Sequence, residues 1–259
     1  MFDLIDNISK VVPMYMLVFA RISALMLALP IFSYGQISPT IRVLLSFVLT
    51  LMIAPLVSES FAIVITSTLQ LVIYIIREVF IGLILGFGAQ LVLEGFSIAG
   101  SYIGMQMGMA IMNVFDPVHS QNQPIVSNFW IMIVMMFMLV TNSHYFLIET
   151  VFQNFKLIEP GGALLRSGVG RTIVDGGKMM FETGLKFAAP SLIFLLSVDI
   201  AISFMARVMP QLNIFFVSLP LKLGVGILML IVSLRIFQGL FSFIMREMEV
   251  FVTTLVRAV

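Results

Sequence analysis

From Phe61 to Met112 the chain is apolar almost without interruption. At about 1.5 Å per residue, one helix of that length is more than twice the roughly 30 Å thickness of a bilayer core. The run must break, leave the membrane, or both, and Gly95, preceded by Glu94, is the expected break. Such a run also rules out an ordinary soluble domain, in which about a quarter of residues are charged; here 60% of 259 residues are hydrophobic and 10% charged. The apolar stretches are long and continuous, whereas an outer-membrane barrel has short alternating segments. The predicted class is therefore all-α, a multi-helix membrane protein.

Several chemistries drop out at once. A formal net charge of +1 leaves no electrostatic footprint for nucleic acid, so no nucleic-acid partner is expected. There are no cysteines, and His119 and His144 lack metal-motif spacing, so neither a metal nor another cofactor is expected. Asp3 and Asp6 stand where a signal peptide is basic, and the following apolar run contains Arg21, so the N-terminal segment reads as a retained span. Catalytic motifs also fail. Gly177-Lys178 is followed by Met179 where a P-loop needs Ser or Thr, and Gly168-Val169-Gly170 fails as a dinucleotide fingerprint at Ile173. No nucleophile elbow or zinc-binding helix motif is present. Asp116 and His119 read as turn chemistry rather than an acid–base pair, and no catalytic residue is assigned.

The expected spans are Pro13 to Pro30, Ile41 to Pro55, the long run ending at Met112, and Ile125 to Leu147. Between the first two lies the turn Ser33 to Pro39, and Glu59-Ser60 marks a break before the long run. Glu149 to Lys186 is the most hydrophilic region and reads as a loop; its charges of both signs leave the orientation open. The last section reads as a hairpin, Phe187 to Met205 and Ile214 to Phe237. Its turn holds Arg207, Met209, Pro210, Gln211, Leu212 and Asn213, and the tail from Gln238 to Val259 continues as helix.

Arg21, Arg77, Glu78, Asp199, Lys222 and Arg235 lie inside apolar segments. Each costs about 2.5 to 3.5 kcal/mol facing lipid at mid-depth, so six approach about 15 to 20 kcal/mol and cannot all face lipid. Glu78, Gly82, Gly86, Gln90 and Glu94 recur at every fourth position and form one polar and small ridge on a helix. Such a ridge reads either as a conduit or as a helix interface whose charges pair across subunits.

A second texture lies between Gly95 and Pro124. Gly100, Gly104 and Gly108 share a helix face, with Met105, Met107, Met109 and Met112 interleaved. They give way to a polar stretch holding Asn113, Phe115, Asp116, Pro117, His119, Ser120, Gln121, Asn122 and Gln123. Glycine strips commonly pack helices, and methionines commonly fill cores. Adaptable thioethers beside a polar, proline-bounded loop also suit a seal against variable shapes.

Five motifs in order carry a resemblance: Phe19-Ala20-Arg21 with Pro30, Phe32 and Ser33; Arg77-Glu78 with Gly82 and Gly86; Gly104-Met105-Gln106-Met107-Gly108; Phe115-Asp116-Pro117; and Pro210-Gln211-Leu212-Asn213 with Pro220-Leu221-Lys222. Over nearly its whole length the chain resembles the FliR family of flagellar biosynthesis proteins, the R component of the type III secretion export gate. Ser218 departs from the pattern, where a glycine is expected.

The resemblance implies a core subunit of the export gate in the bacterial inner membrane, at the flagellar basal body. One R copy joins P and Q subunits and other export-apparatus membrane proteins in a helical pore for unfolded proteins. It implies a P-like part over residues 1–175, a Q-like hairpin and tail over residues 176–259, and a plug near residues 104–124. The intramembrane charges, the two glycine-bearing ridges and the turn residues Arg207, Gln211 and Asn213 then become packing or intersubunit contacts, and much of the complex stands above the membrane plane. The motifs are closer to the flagellar branch than to a virulence injectisome, although the sequence leaves both open. Two other classes compete: a secondary transporter, for which the expected inverted repeats are not visible, and a purely structural membrane scaffold, which has no reason to place a polar loop after a glycine helix.

Overall fold

Apolar length becomes helix throughout the described residues, because a helix satisfies every backbone group within its own segment where water is excluded. The computed structural model describes residues 2–29, 32, 37–57, 65, 67–109, 124–162, 168–211 and 213–258. They form α1 (Phe2–Ala28), α2 (Pro39–Val57), α3 (Thr68–Gln106), α4 (Ile125–Val140), α5 (His144–Leu157), α6 (Val169–Val208) and α7 (Ile214–Ala258). Five of these, α1, α2, α3, α6 and α7, are long and apolar enough to cross a membrane. The chain is a multi-helix membrane protein.

Four expectations are corrected. The long apolar run does not break at Gly95, since α3 passes through it as 39 continuous residues. Gly95 is a packing position instead: a Cβ there would lie 3.0 Å from the Met180 carbonyl oxygen on α6. The span expected over Ile125 to Leu147 ends at Val140; Thr141, Asn142 and Ser143 turn the chain, with Asn142 at φ 57, before α5 begins at His144. The hydrophilic region from Glu149 to Lys186 is largely helical, occupied by the end of α5 and the start of α6. Its long charged side chains are compatible with helix, and exposed Lys178–Glu182 and Glu182–Lys186 pairs sit at i,i+4. Finally, the expected hairpin arms are parts of much longer helices of 40 and 45 residues, and the tail continues α7 to Ala258. Ser218 lies within α7, its hydroxyl donating to the Phe215 carbonyl at 3.3 Å. Residues 33–36, Glu59 and Ser60 lie outside the described residues.

The chain divides into two compact units, each assembled from separated stretches: residues 1–91, 139–176 and 247–259 in the first, residues 92–138 and 177–246 in the second. In the first, Gly82 and Gly86 of α3 let α1 approach at backbone distance; a Cβ on Gly86 would lie 2.9 Å from the Leu25 carbonyl oxygen. Leu17, Val18, Ile22 and Met26 of α1 are buried there with Leu85 of α3 and Val151 and Phe155 of α5. In the second, Gly100 of α3 meets the α4 backbone, where a Cβ would fall 2.5 Å from Ser127 Cα, and the Ser127 hydroxyl donates to the Ser97 carbonyl at 2.7 Å. Beside this contact lies an aromatic cluster centred on Phe237 of α7. Trp130 stacks on it at 5.4 Å, while Phe96, Phe137 and Phe187 meet it edge-on.

Candidate functional sites

Two polar clusters are built into the apolar helices, one in each unit. In the first, Arg21 of α1 and Glu78 of α3 are both 0% exposed and pair through both carboxylate oxygens. Arg21 Nε bonds Oε2, and Arg21 Nη2 donates to Oε1 at 3.0 Å. The other guanidinium protons reach the segment that closes α5: Nη1 donates to Asn154 Oδ1 at 2.8 Å and to the Ile158 carbonyl at 2.9 Å, and Nη2 to the Glu159 carbonyl at 3.4 Å. A guanidinium has five N–H donors, and here all five are used. Its flat face lies 4.4 Å from the centroid of the Phe155 ring.

The segment met by this pair is a turn made for it. Glu159-Pro160-Gly161-Gly162 closes with Gly162 N–H donating to the Glu159 carbonyl at 3.0 Å, with Gly161 at φ 81. A type II turn requires positive φ at its third residue and commonly has proline at its second, as here. The turn carries the Gly161 N–H to Glu78 Oε1 at 2.6 Å. Positive and negative partners each therefore hold part of it. The Pro-Gly-Gly run signals a turn in sequence, yet nothing in sequence says what the turn meets.

The second cluster joins the end of α3 to the α6–α7 hairpin. Asp199 Oδ1 pairs with Lys222 Nζ at 2.5 Å, and Asp199 Oδ2 accepts from Gln106 Nε2 at 2.8 Å. Asp199 and Lys222 pair with each other within the chain, at 32% and 21% side-chain exposure. Next to them, α3 stops. Gly108 has φ 80, its N–H donates to the Met105 carbonyl at 3.0 Å, and the Met109 N–H donates to the Gly104 carbonyl at 3.1 Å. These two bonds are a Schellman motif with glycine in the left-handed position. Gly108 thus ends the helix, while Gly100 and Gly104 face α4, where Val126 lies 3.5 Å from a Cβ built on Gly104.

Of the other sequence candidates, Met107 is 2% exposed, Met105 is 55% exposed and Met109 is half-buried. Arg77 is exposed on α3 beside the Tyr74 ring, and Gln90 and Glu94 are half-buried along the ridge. Arg207, Gln211 and Asn213 are exposed around the hairpin turn. Met112, Phe115, Asp116, Pro117, His119, Gln121 and Gln123 lie outside the described residues. No cluster of metal-ligating side chains occurs among the described residues. Asn154, Phe155, Gly161 and Gly226 were not singled out from sequence, because what they contact is far away along the chain.

The family model described as bacterial export proteins, family 1, matches residues 12–248, a range that takes in both clusters. The chain belongs to that family. Among curated relatives, this export protein is 31% identical over 234 residues to the flagellar biosynthetic protein FliR of Bacillus subtilis (strain 168), covering 89% of this chain and 90% of the relative. It is 30% identical over 208 residues to the FliR of Escherichia coli (strain K12), covering 80% of this chain and 78% of the relative. These relatives are named for flagellar biosynthesis and not for an enzymatic reaction.

Proposed function

We propose that this chain is the R subunit of a flagellar protein export gate in the bacterial inner membrane. In this reading one copy assembles with P and Q subunits into a pore for unfolded flagellar proteins. Residues 1–175 act as a P-like part, residues 176–259 as a Q-like hairpin and tail, and the segment from Gly104 to Pro124 plugs the resting pore. The observation that carries the reading is the family match along residues 12–248, together with relatives named FliR that align over most of both chains.

Two physical features support an assembly over a lone transporter. The helices α3, α6 and α7, at 39, 40 and 45 residues, run about 60 to 70 Å, roughly twice the hydrocarbon core. Exposed apolar residues are nonetheless found from Phe215 to Val250 on α7 and from Val174 to Val208 on α6, more surface than lipid alone covers. Arg77 and Arg235 are also exposed within apolar helices, at a cost of about 2.5 to 3.5 kcal/mol each at mid-depth unless protein or water meets them.

The test is removal of the chain from its host, with flagellin secretion and motility measured, beside mass spectrometry of the intact complex purified on a tag. Loss of secretion, restored by the full chain, and a stoichiometric complex with P-like and Q-like subunits are expected. A monodisperse, folded monomer that moves a small solute in liposomes overturns the proposal, as does unchanged secretion.

A further inference from the structure

Consecutive residues at the end of α3 hold both arms of the α6–α7 hairpin. Gln106 bonds Asp199 on α6, whose other oxygen is taken by Lys222 on α7. One residue on, Met107 lies against Gly226 on α7: a Cβ at 226 would sit 2.5 Å from Met107 Cγ and Cε and 2.6 Å from Sδ. Lys222 and Gly226 are four residues apart and share a face of α7. Adjacent helical residues point about 100° apart, so 106 and 107 reach two helices at once, and a slip of one residue loses both contacts.

We propose that Gln106 and Met107 form a clasp that fixes the end of α3, in a single register, on the hairpin. The polar contact supplies direction, because the Gln106 amide completes a carboxylate already neutralised by Lys222. The Met107 contact supplies area, in a hollow that exists because residue 226 has no side chain. Gly108 then stops the helix directly beyond the clasp, so the clasp fixes where the following segment begins. Gln106 and Met107 are positioning residues in this account. Their relevance to sealing rests on the proposed plug, whereas the clasp itself does not.

The absence of native cysteine allows a direct test in the full chain, in its host membrane. With Met107 Cγ 2.5 Å from a Cβ at 226, the two Cβ atoms lie within about 4 Å, a separation that suits a disulfide. Met107→Cys with Gly226→Cys is expected to cross-link readily on oxidation in the assembled complex. Adding Gln106→Leu is expected to slow cross-linking severalfold. Asp199→Lys or Lys222→Asp alone is expected to do the same. The double reversal restores the rate, since glutamine offers both a donor and an acceptor.

Failure to cross-link in assembled protein overturns the clasp. So does a cross-linking rate indifferent to Gln106→Leu. If the cysteine pair does not accumulate, Gly226→Val against Gly224→Val decides. Nothing lies within 4 Å of a Cβ at 224, so equal assembly of the two variants overturns the proposal. A plug deletion that fails to leak, with cross-linking intact, counts against the plug reading alone.

Discussion

Arg21 and Glu78, 57 residues apart in sequence, make a two-pronged contact that also fastens a third part of the chain, because Glu78 Oε1 accepts the Gly161 N–H at 2.6 Å. Desolvating two such ions costs several kcal/mol each, repaid only where the geometry is good and the remaining protons and lone pairs are bonded. Here the surplus guanidinium protons go to Asn154 and two carbonyls, so the guanidinium meets that condition, while the buried Asn154 Nδ2 has no acceptor among the described residues. The pair is thus an internal fastening of α1, α3 and the turn after α5.

Removing one partner leaves the other charge buried and uncompensated. Arg21→Met and Glu78→Met are each expected to cost about 3 to 5 kcal/mol, and the double variant carrying both substitutions distinctly less than the sum. Midpoints of thermal inactivation of the purified complex measure this. Strict additivity would mean that the two side chains do not share one network.

The turn gives a sharper contrast. Gly161→Ala forces a Cβ into positive φ, and α-left backbone costs a non-glycine residue about 1 to 2 kcal/mol. It is therefore expected to lower stability and to speed trypsin cleavage around Lys156. Gly162→Ala adds a Cβ whose nearest neighbour is 3.4 Å away at ordinary φ, and it is expected to be nearly silent. Equal sensitivity at the two positions would show that the turn is not what the ion pair holds.

Much of this was legible from residue type and much was not. That the chain is built of membrane-length helices follows from its apolar runs, although their bounds do not, and a mid-span Arg21 or Glu78 must be sheltered because lipid is costly. The four-residue spacing of Glu78, Gly82 and Gly86 reads as a conduit or as a helix interface across subunits, and in the structure Gly82 and Gly86 meet α1 of the same chain. Which partner takes up such a face is invisible in sequence, since small residues pack equally against a helix of the same chain or of another subunit. Gly95 and Gly108 show the same limit from the other side. Both are glycines of one apolar run, yet one lies within α3 and packs against α6 while the other lies just beyond its end and stops it, and only the backbone bonds after Gly104 distinguish them.

Trp130, the chain's single tryptophan, offers a probe of the second unit. It is fully buried among phenylalanines, and its indole N–H has no acceptor among the described residues. Trp130→Ala is expected to cost about 3 to 5 kcal/mol. Trp130→Phe is expected to cost much less, since it keeps a ring beside Phe187 and Phe237 and removes a donor whose burial is unfavourable. Denaturation of the two variants against the parent measures the difference, and equal losses would mean that the indole N–H is satisfied in the assembled protein.

The last prediction separates assembly from sealing. Deleting Asp116 to Gln123 removes most of the polar stretch while leaving Gln106, Met107 and the helix stop at Gly108 untouched. The remaining segment is able to close. Gly104 and Val126 already face each other, with 3.5 Å between a Cβ on Gly104 and the valine side chain. The residues left between Met109 and Pro124 span up to about 20 Å at 3.3 Å each. The complex is therefore expected to assemble at normal yield, because the helix contacts at Gly100 and Gly226 persist, and to leak ions or small solutes in cells or vesicles. Conductance of vesicles carrying the deletion, with complex formation checked in parallel, is the measurement. An intact complex of normal impermeability would return the segment to a surface turn beyond a packed helix end.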